Sequence, residues 1–140
     1  MSYDISENHK RALYSALRKK GLRPTKQRTC VYNIIMSKKD HPTADDILNR
    51  VRTKLPTISL ATVYNTLHHL TNLGFLRQVK INARQNYFDT NITDHHHFFD
   101  KSNNSLIDIS KDLIKIQGIP IPPKNKIVSD IELIISIKNK

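Results

Sequence analysis

The stretch that most restricts how this chain can fold runs from Ile58 to Arg77, ISLATVYNTLHHLTNLGFLR. Ser59 is placed to cap a helix and Gly74 to end one. A serine hydroxyl accepts a free helical N–H, and glycine tolerates the left-handed turn beyond the last helical residue. Between them Leu60, Val63, Leu67 and Leu70 recur at helical spacing and make one apolar stripe. The opposite arc carries Ala61, Thr62, Asn65, His68 and His69, with no carboxylate. Such a helix lies on a core and turns an uncharged polar side outward. That side suits a DNA major groove, where asparagine pairs with adenine and small methyl groups meet thymine. Tyr64 sits at the edge of the stripe, within reach of core or base. The alternative is an ordinary surface helix, and the rest of the chain weighs against it.

The segments before it predict three more helices. Glu7 to Lys20 forms the first, with Ala12, Leu13, Ala16 and Leu17 inward and Gly21 as its stop. Arg23-Pro24-Thr25 opens the second, capped by Thr25, with Val31, Ile34 and Ile35 inward. Lys26 and Arg28 near its start are placed to clamp phosphates. Thr43 followed by Asp46 has capping spacing, and a third helix to about Thr53 buries Ala44, Ile47, Leu48 and Val51. Leu55-Pro56-Thr57 then turns the chain into the helix Ser59 to Leu73, which completes a helix-turn-helix. Phe75 to Lys80 and Gln85 to Asp89 read as strands joined by a turn at Ile81 to Arg84. This hairpin is a wing carrying Arg77, Lys80 and Arg84. Residues 1–90 therefore read as a winged-helix DNA-binding domain.

The whole-chain totals agree. A formal net charge of +11 on 140 residues points to a polyanionic partner. The single cysteine, Cys30, excludes an internal disulfide framework and any paired-cysteine zinc site. No apolar run is long enough to span a bilayer, and the start MSYDISENHKR lacks the apolar centre of a signal peptide. The expectation is a cytoplasmic protein.

Residues 91–140 read as a second, small α/β lobe, so the class is α+β. His97-Phe98-Phe99, Leu106 to Ile109 and Ile127 to Ile137 are strand candidates, with a Gly- and Pro-bearing loop before the last. About fifty residues without disulfide or metal-thiolate staple make a marginal core. The apolar run IVSDIELIISI would leave a sticky edge. Pairing with a second copy answers both, and a homodimer suits palindromic DNA. This lobe also carries Asp94-His95-His96-His97. On a strand His95 and His97 share a face and His96 points away. Asp89, Asp108 and His41 are candidates to join them. Imidazole with carboxylate suits Fe(II), Mn(II) or Zn(II). Such a site would tie the two lobes together, so that metal occupancy sets the angle between them. A solvated histidine run is the alternative.

Taken together, GLRPTKQR at Gly21 to Arg28, HPTADDIL at His41 to Leu48 and the Ile58 to Arg77 segment resemble the ferric uptake regulator family of bacterial metal-dependent transcription factors. The resemblance implies a winged-helix lobe, a small dimerisation lobe and metal loading that tunes operator binding. It implies His41, Asp89, His95, His97 and Asp108 as regulatory metal ligands. In the peroxide-sensing branch, oxidation of ligand histidines would fall at His41 and His95. The four-cysteine structural zinc site of many members is absent. The triplet His95, His96 and His97 and the short ending look like the haem-responsive iron regulators, which would make these three the haem site. Iron, manganese, peroxide and haem all stay open as the signal.

The resulting expectation is a homodimeric, metal-dependent repressor that binds a palindromic, AT-rich double-stranded operator and is not an enzyme. Ser59, Ala61, Thr62, Tyr64 and Asn65 face DNA, while Arg23, Lys26, Arg28 and Arg77 hold phosphates. A metalloenzyme using the His/Asp cluster and a constitutive DNA-packaging protein are the rivals.

Overall fold

The computed structural model describes residues 7–140, so the first six residues of the amino-terminal stretch lie outside it. The chain divides into two compact units, one ending at Ile92 and the other spanning Thr93–Lys140. Four helices and a hairpin make the first: α1 (Glu7–Lys19), α2 (Lys26–Met36), α3 (Ala44–Val51), α4 (Leu60–Asn72), β1 (Arg77–Lys80) and β2 (Asn86–Asp89). The second holds β3 (His95–Asp100), β4 (Ser105–Ser110) and β5 (Ile134–Ile137), with a 3-10 turn at Lys111–Leu113. Among the described residues no helix is long and apolar enough to cross a membrane.

The first unit forms where its caps place it. Thr25 Oγ1 accepts from Arg28 N at 3.2 Å and opens α2. At α3, Thr43 Oγ1 accepts from Asp46 N at 3.2 Å while Asp46 Oδ2 accepts from Thr43 N at 3.0 Å. This reciprocal box fixes the entry to the helix-turn-helix. Ser59 Oγ accepts from Thr62 N at 3.1 Å to open α4, and Gly74 follows with φ of 84°, a turn other residues rarely adopt. Val63, Leu67 and Leu70 of α4 meet Leu13, Leu17, Val31, Ile35, Ile47 and Val51 in one buried core. Tyr32 packs edge-on against Phe75 with ring centres 5.5 Å apart. The hairpin pairs Arg77 with Asp89 and Lys80 with Asn86. Asn82 Oδ1 closes its tip by accepting from Arg84 N and Gln85 N.

Several expected details differ. Ala12 is exposed and Ile34 only half-buried. Leu60 stays 36% exposed, because it starts the helix before the stripe turns inward, while Thr66 is buried in its place. Thr66 satisfies its hydroxyl by donating to the Thr62 carbonyl at 2.9 Å. The helix α3 stops at Val51, two residues before the expected end.

In the second unit β3 is central, with β4 antiparallel on one side and β5 parallel on the other. The expected strand Ile127 to Ile137 shrinks to β5. The ladder with β3 starts at His97 and Ile134, because Leu133 N donates to the His96 side chain instead of a strand carbonyl. The stretch between the 3-10 turn and β5 has no helix, in line with Gly118, Pro120, Pro122 and Pro123.

Candidate metal centre and nucleic-acid face

Three side chains of the second unit aim at one point. Antiparallel register sets His97 directly across from Asp108 and His95 across from Ser110, so His95 and Asp108 are diagonal neighbours on one face. His95 Nε2 and His97 Nε2 stand 3.0 Å apart. Asp108 Oδ1 is 3.2 Å from each. His95 Nδ1 lies 2.6 Å from the carbonyl oxygen of Thr93. A carbonyl only accepts, so Nδ1 carries the proton and Nε2 presents a lone pair. The imidazoles are 6% and 1% exposed, whereas Asp108 keeps its side chain 44% exposed.

Two imidazole lone pairs and a carboxylate oxygen at these spacings repel one another unless a proton or a cation lies among them. Ligands ~2.1 Å from one ion and at right angles to each other would be ~3.0 Å apart. The residues fit a divalent cation, with two histidines and one carboxylate on one face.

His96 points to the other face. Its Nδ1 accepts from Leu133 N at 3.0 Å, which leaves the proton of the neutral ring on Nε2.

The first unit holds the other two expected ligands. Phe88 N donates to the Pro42 carbonyl at 2.9 Å, joining the loop before α3 to strand β2. That bond brings His41 Nε2 to 3.3 Å from Asp89 Oδ2. Asp89 is 3% exposed, and its Oδ1 accepts from Asn91 N at 2.8 Å. A carboxylate so buried needs partners for its oxygens, and Asn91 N and the His41 ring supply them. The sequence reading missed what steadies this loop. Arg50 grips Asp40 through two bonds, at 2.7 and 3.4 Å, one residue from His41. It also missed Glu132, whose Oε1 lies 3.4 Å from His97 Nδ1. Both pairs span stretches over which no local pattern runs.

On the face of α4, Ala61 and Asn65 are exposed. Arg28 of α2 joins Thr62, Asn65 and His69 around a cavity of about 160 Å³. Tyr64 stacks on His68 with ring centres 6.1 Å apart. Arg28 also donates to the Arg23 carbonyl at 2.7 Å, which fixes the turn before α2. Ser59 spends its hydroxyl on the helix cap and on Thr62, 2.9 Å away. Lys26 lines a different cavity, of about 340 Å³, with Cys30 and Lys54. Burial pushes the Cys30 thiol above its ordinary value, although Lys54 and Lys26 pull the other way. Arg77 is half-buried on the hairpin opposite Asp89. The cluster thus joins Arg28 to Thr62 and Asn65 but leaves Lys26 out.

A helix-turn-helix with a hairpin behind it, followed by a small sheet bearing clustered histidines, defines the class: a winged-helix protein with an appended β-sheet unit, where the expected α/β lobe has no α-helix among the described residues. Residues 19–135 match the model of the ferric uptake regulator family, and the chain belongs to that family. Over 94 residues it is 33% identical to the peroxide-responsive repressor PerR of Staphylococcus epidermidis, covering 67% of this chain and 63% of that protein. The matching PerR of Staphylococcus aureus strain Mu50 is 31% identical over the same length, covering 67% and 64%. The matched stretch therefore spans somewhat under two thirds of these relatives. In fold the chain is similar to the Helicobacter pylori ferric uptake regulator Fur, a structure described as having three functional metal-binding sites. The TM-score is 0.70 at 17% identity, covering 96% of this chain and 93% of that one. It is also similar to the Campylobacter jejuni peroxide stress regulator, with TM-score 0.61 at 22% identity, covering 91% and 96%.

Proposed function

We propose that this chain is a cytoplasmic, homodimeric, metal-responsive DNA-binding repressor that senses iron or peroxide. The observation that carries the reading is the convergence of His95, His97 and Asp108 in a chain that also presents a helix-turn-helix. His95, His97 and Asp108 hold Fe(II) or Mn(II), and His41 and Asp89 of the first unit are further candidate metal ligands. A divalent cation there supplies the positive charge that the converging donors need. The half-exposed Asp108 gives small molecules a path to it. Arg28, Arg23 and Arg77 hold phosphates, while Ala61, Thr62, Tyr64 and Asn65 read base edges of a palindromic, AT-rich operator. Ile107 and Ile135 are 47% and 41% exposed on the second unit's sheet, which supports pairing with a second copy.

One anaerobic experiment tests this. Double-stranded DNA selected from a random pool is titrated with iron-loaded protein, before and after a peroxide pulse, with intact mass recorded on the same samples. Manganese-loaded protein and His97→Ala serve as controls. The reading expects tight metal-dependent binding, lost in His97→Ala. Peroxide sensing further expects one added oxygen in the iron form only, on a peptide holding His41 or His95. Binding that ignores metal would overturn the regulator reading. Binding that needs metal but shows no added oxygen would leave an iron sensor.

A further inference from the structure

The histidine rings of the second unit's cluster are oriented from opposite sides by different means. His95 is set locally, by the Thr93 carbonyl two residues away. His97 is approached from distant parts of the chain. Its Nδ1 faces Glu132 Oε1 at 3.4 Å, while its Nε2 faces Asp108. Glu132 stands just before β5 and is held there by backbone. His97 N donates to the Leu133 carbonyl at 3.1 Å, and Leu133 N donates to His96 Nδ1 at 3.0 Å. Two bonds through one residue leave the adjoining Glu132 little freedom along the strand. Its side chain is 28% exposed, against 1% for His97, so it reaches the buried ring from a partly solvated position.

An ionised carboxylate only accepts hydrogen bonds, so the ring nitrogen facing it carries the proton. We propose that Glu132 is a positioning residue for the metal centre: its carboxylate, 3.4 Å from His97 Nδ1, draws the ring proton to that nitrogen and so presents the Nε2 lone pair to the ion. The negative charge behind the ring also makes His97 a stronger donor, as carboxylates behind metal-bound histidines do. This inference rests on the metal reading of His95, His97 and Asp108, and it adds a residue that touches no ion itself.

The test compares Mn(II) and Zn(II) affinity of the full chain with that of Glu132→Ala and Glu132→Gln, using competition with a chelating dye. Ring 15N spectra of the metal-free proteins report which nitrogen of His97 bears the proton. Glutamine keeps an acceptor at the same place without the charge. Glu132→Ala is expected to bind metal about 10- to 100-fold more weakly. Its His97 ring should change from the Nδ1–H form to a mixture of tautomers. Glu132→Gln should keep the Nδ1–H form and fall between the two in affinity. Thermal melts show whether each variant is folded. If folded Glu132→Ala binds metal as the parent does, or Glu132→Gln loses as much as Glu132→Ala with its tautomer unchanged, the positioning role is wrong. A parent chain that binds neither ion would sink the metal reading, and this inference with it.

Discussion

The two units bury their apolar residues in different ways. In the first, fifteen side chains from Leu13 to Phe88 close into one cluster, and among its described residues Leu60 is exposed at the helix start and Ile92 at the boundary. In the second, Phe99, Leu106 and Ile109 are the buried apolar residues, alongside three buried histidines. Leu113, Ile121, Ile127 and Ile135 stand open on the same unit, from 41% to 94% exposed. A core filled with aliphatic side chains stands by itself. A sheet whose best-buried side chains include imidazoles, with isoleucines open to solvent, buries less apolar surface of its own, which is where the proposed ion and second copy would act.

The largest effect that would break this contrast is in the first unit. Leu67→Ala removes a side chain with no exposed surface and should cost about 2–5 kcal/mol in urea unfolding, whereas Ile135→Ala in monomeric conditions should change stability by less than ~0.5 kcal/mol. Equal losses would mean that the second unit already has a closed core. Smaller in energy but sharper in outcome is Ile135→Asp. Light scattering should shift from dimer to monomer, while the far-UV spectrum of the helices stays unchanged. A dimer that survives would move the pairing surface elsewhere on the chain.

The smallest effect concerns pH. Burial pushes the Tyr32 hydroxyl above its ordinary value, and burial with the nearby Asp46 charge does the same to Tyr87. For a raised acid, the neutral form is favoured in the folded state. Its contribution is whole below the unfolded value of ~10 and is lost as pH rises through the folded value. The melting temperature should therefore fall as pH climbs past ~10, and Tyr32→Phe should flatten that fall. An equal slope in the parent and Tyr32→Phe would remove Tyr32 from the account.

Much of the first unit was legible because its signals are local. Thr25, Thr43 and Ser59 cap helices that start where their spacing predicts, and Gly74 stops α4 with the positive φ expected of it. Leu60 misled because periodicity fixes a stripe but not the residue at which burial begins. In the second unit the alternation of His95 and His97 was readable from strand geometry, and so was a carboxylate on the facing strand. The length of β5 was not, since its ladder starts only where the His96 side chain stops taking the backbone N–H of the incoming strand. Glu132 and the Arg50–Asp40 clamp were invisible for a related reason. Each joins residues whose adjacency depends on the finished fold, and nothing in the intervening sequence marks them as a pair.

The parallel pairing of β3 with β5 also sets an order of events. Leu133 meets His96 across 37 positions of sequence, and antiparallel β4 lies between them in the chain. During synthesis the winged helix can fold while β3 still lacks one neighbour. His97 and His96 then wait, half-oriented, until the segment from Glu132 to Ile137 arrives. A ribosome stalled inside the loop before β5 would therefore display a finished winged helix and an unfinished sheet. Nascent chains of increasing length should gain protease resistance in the first unit before they gain it in the second.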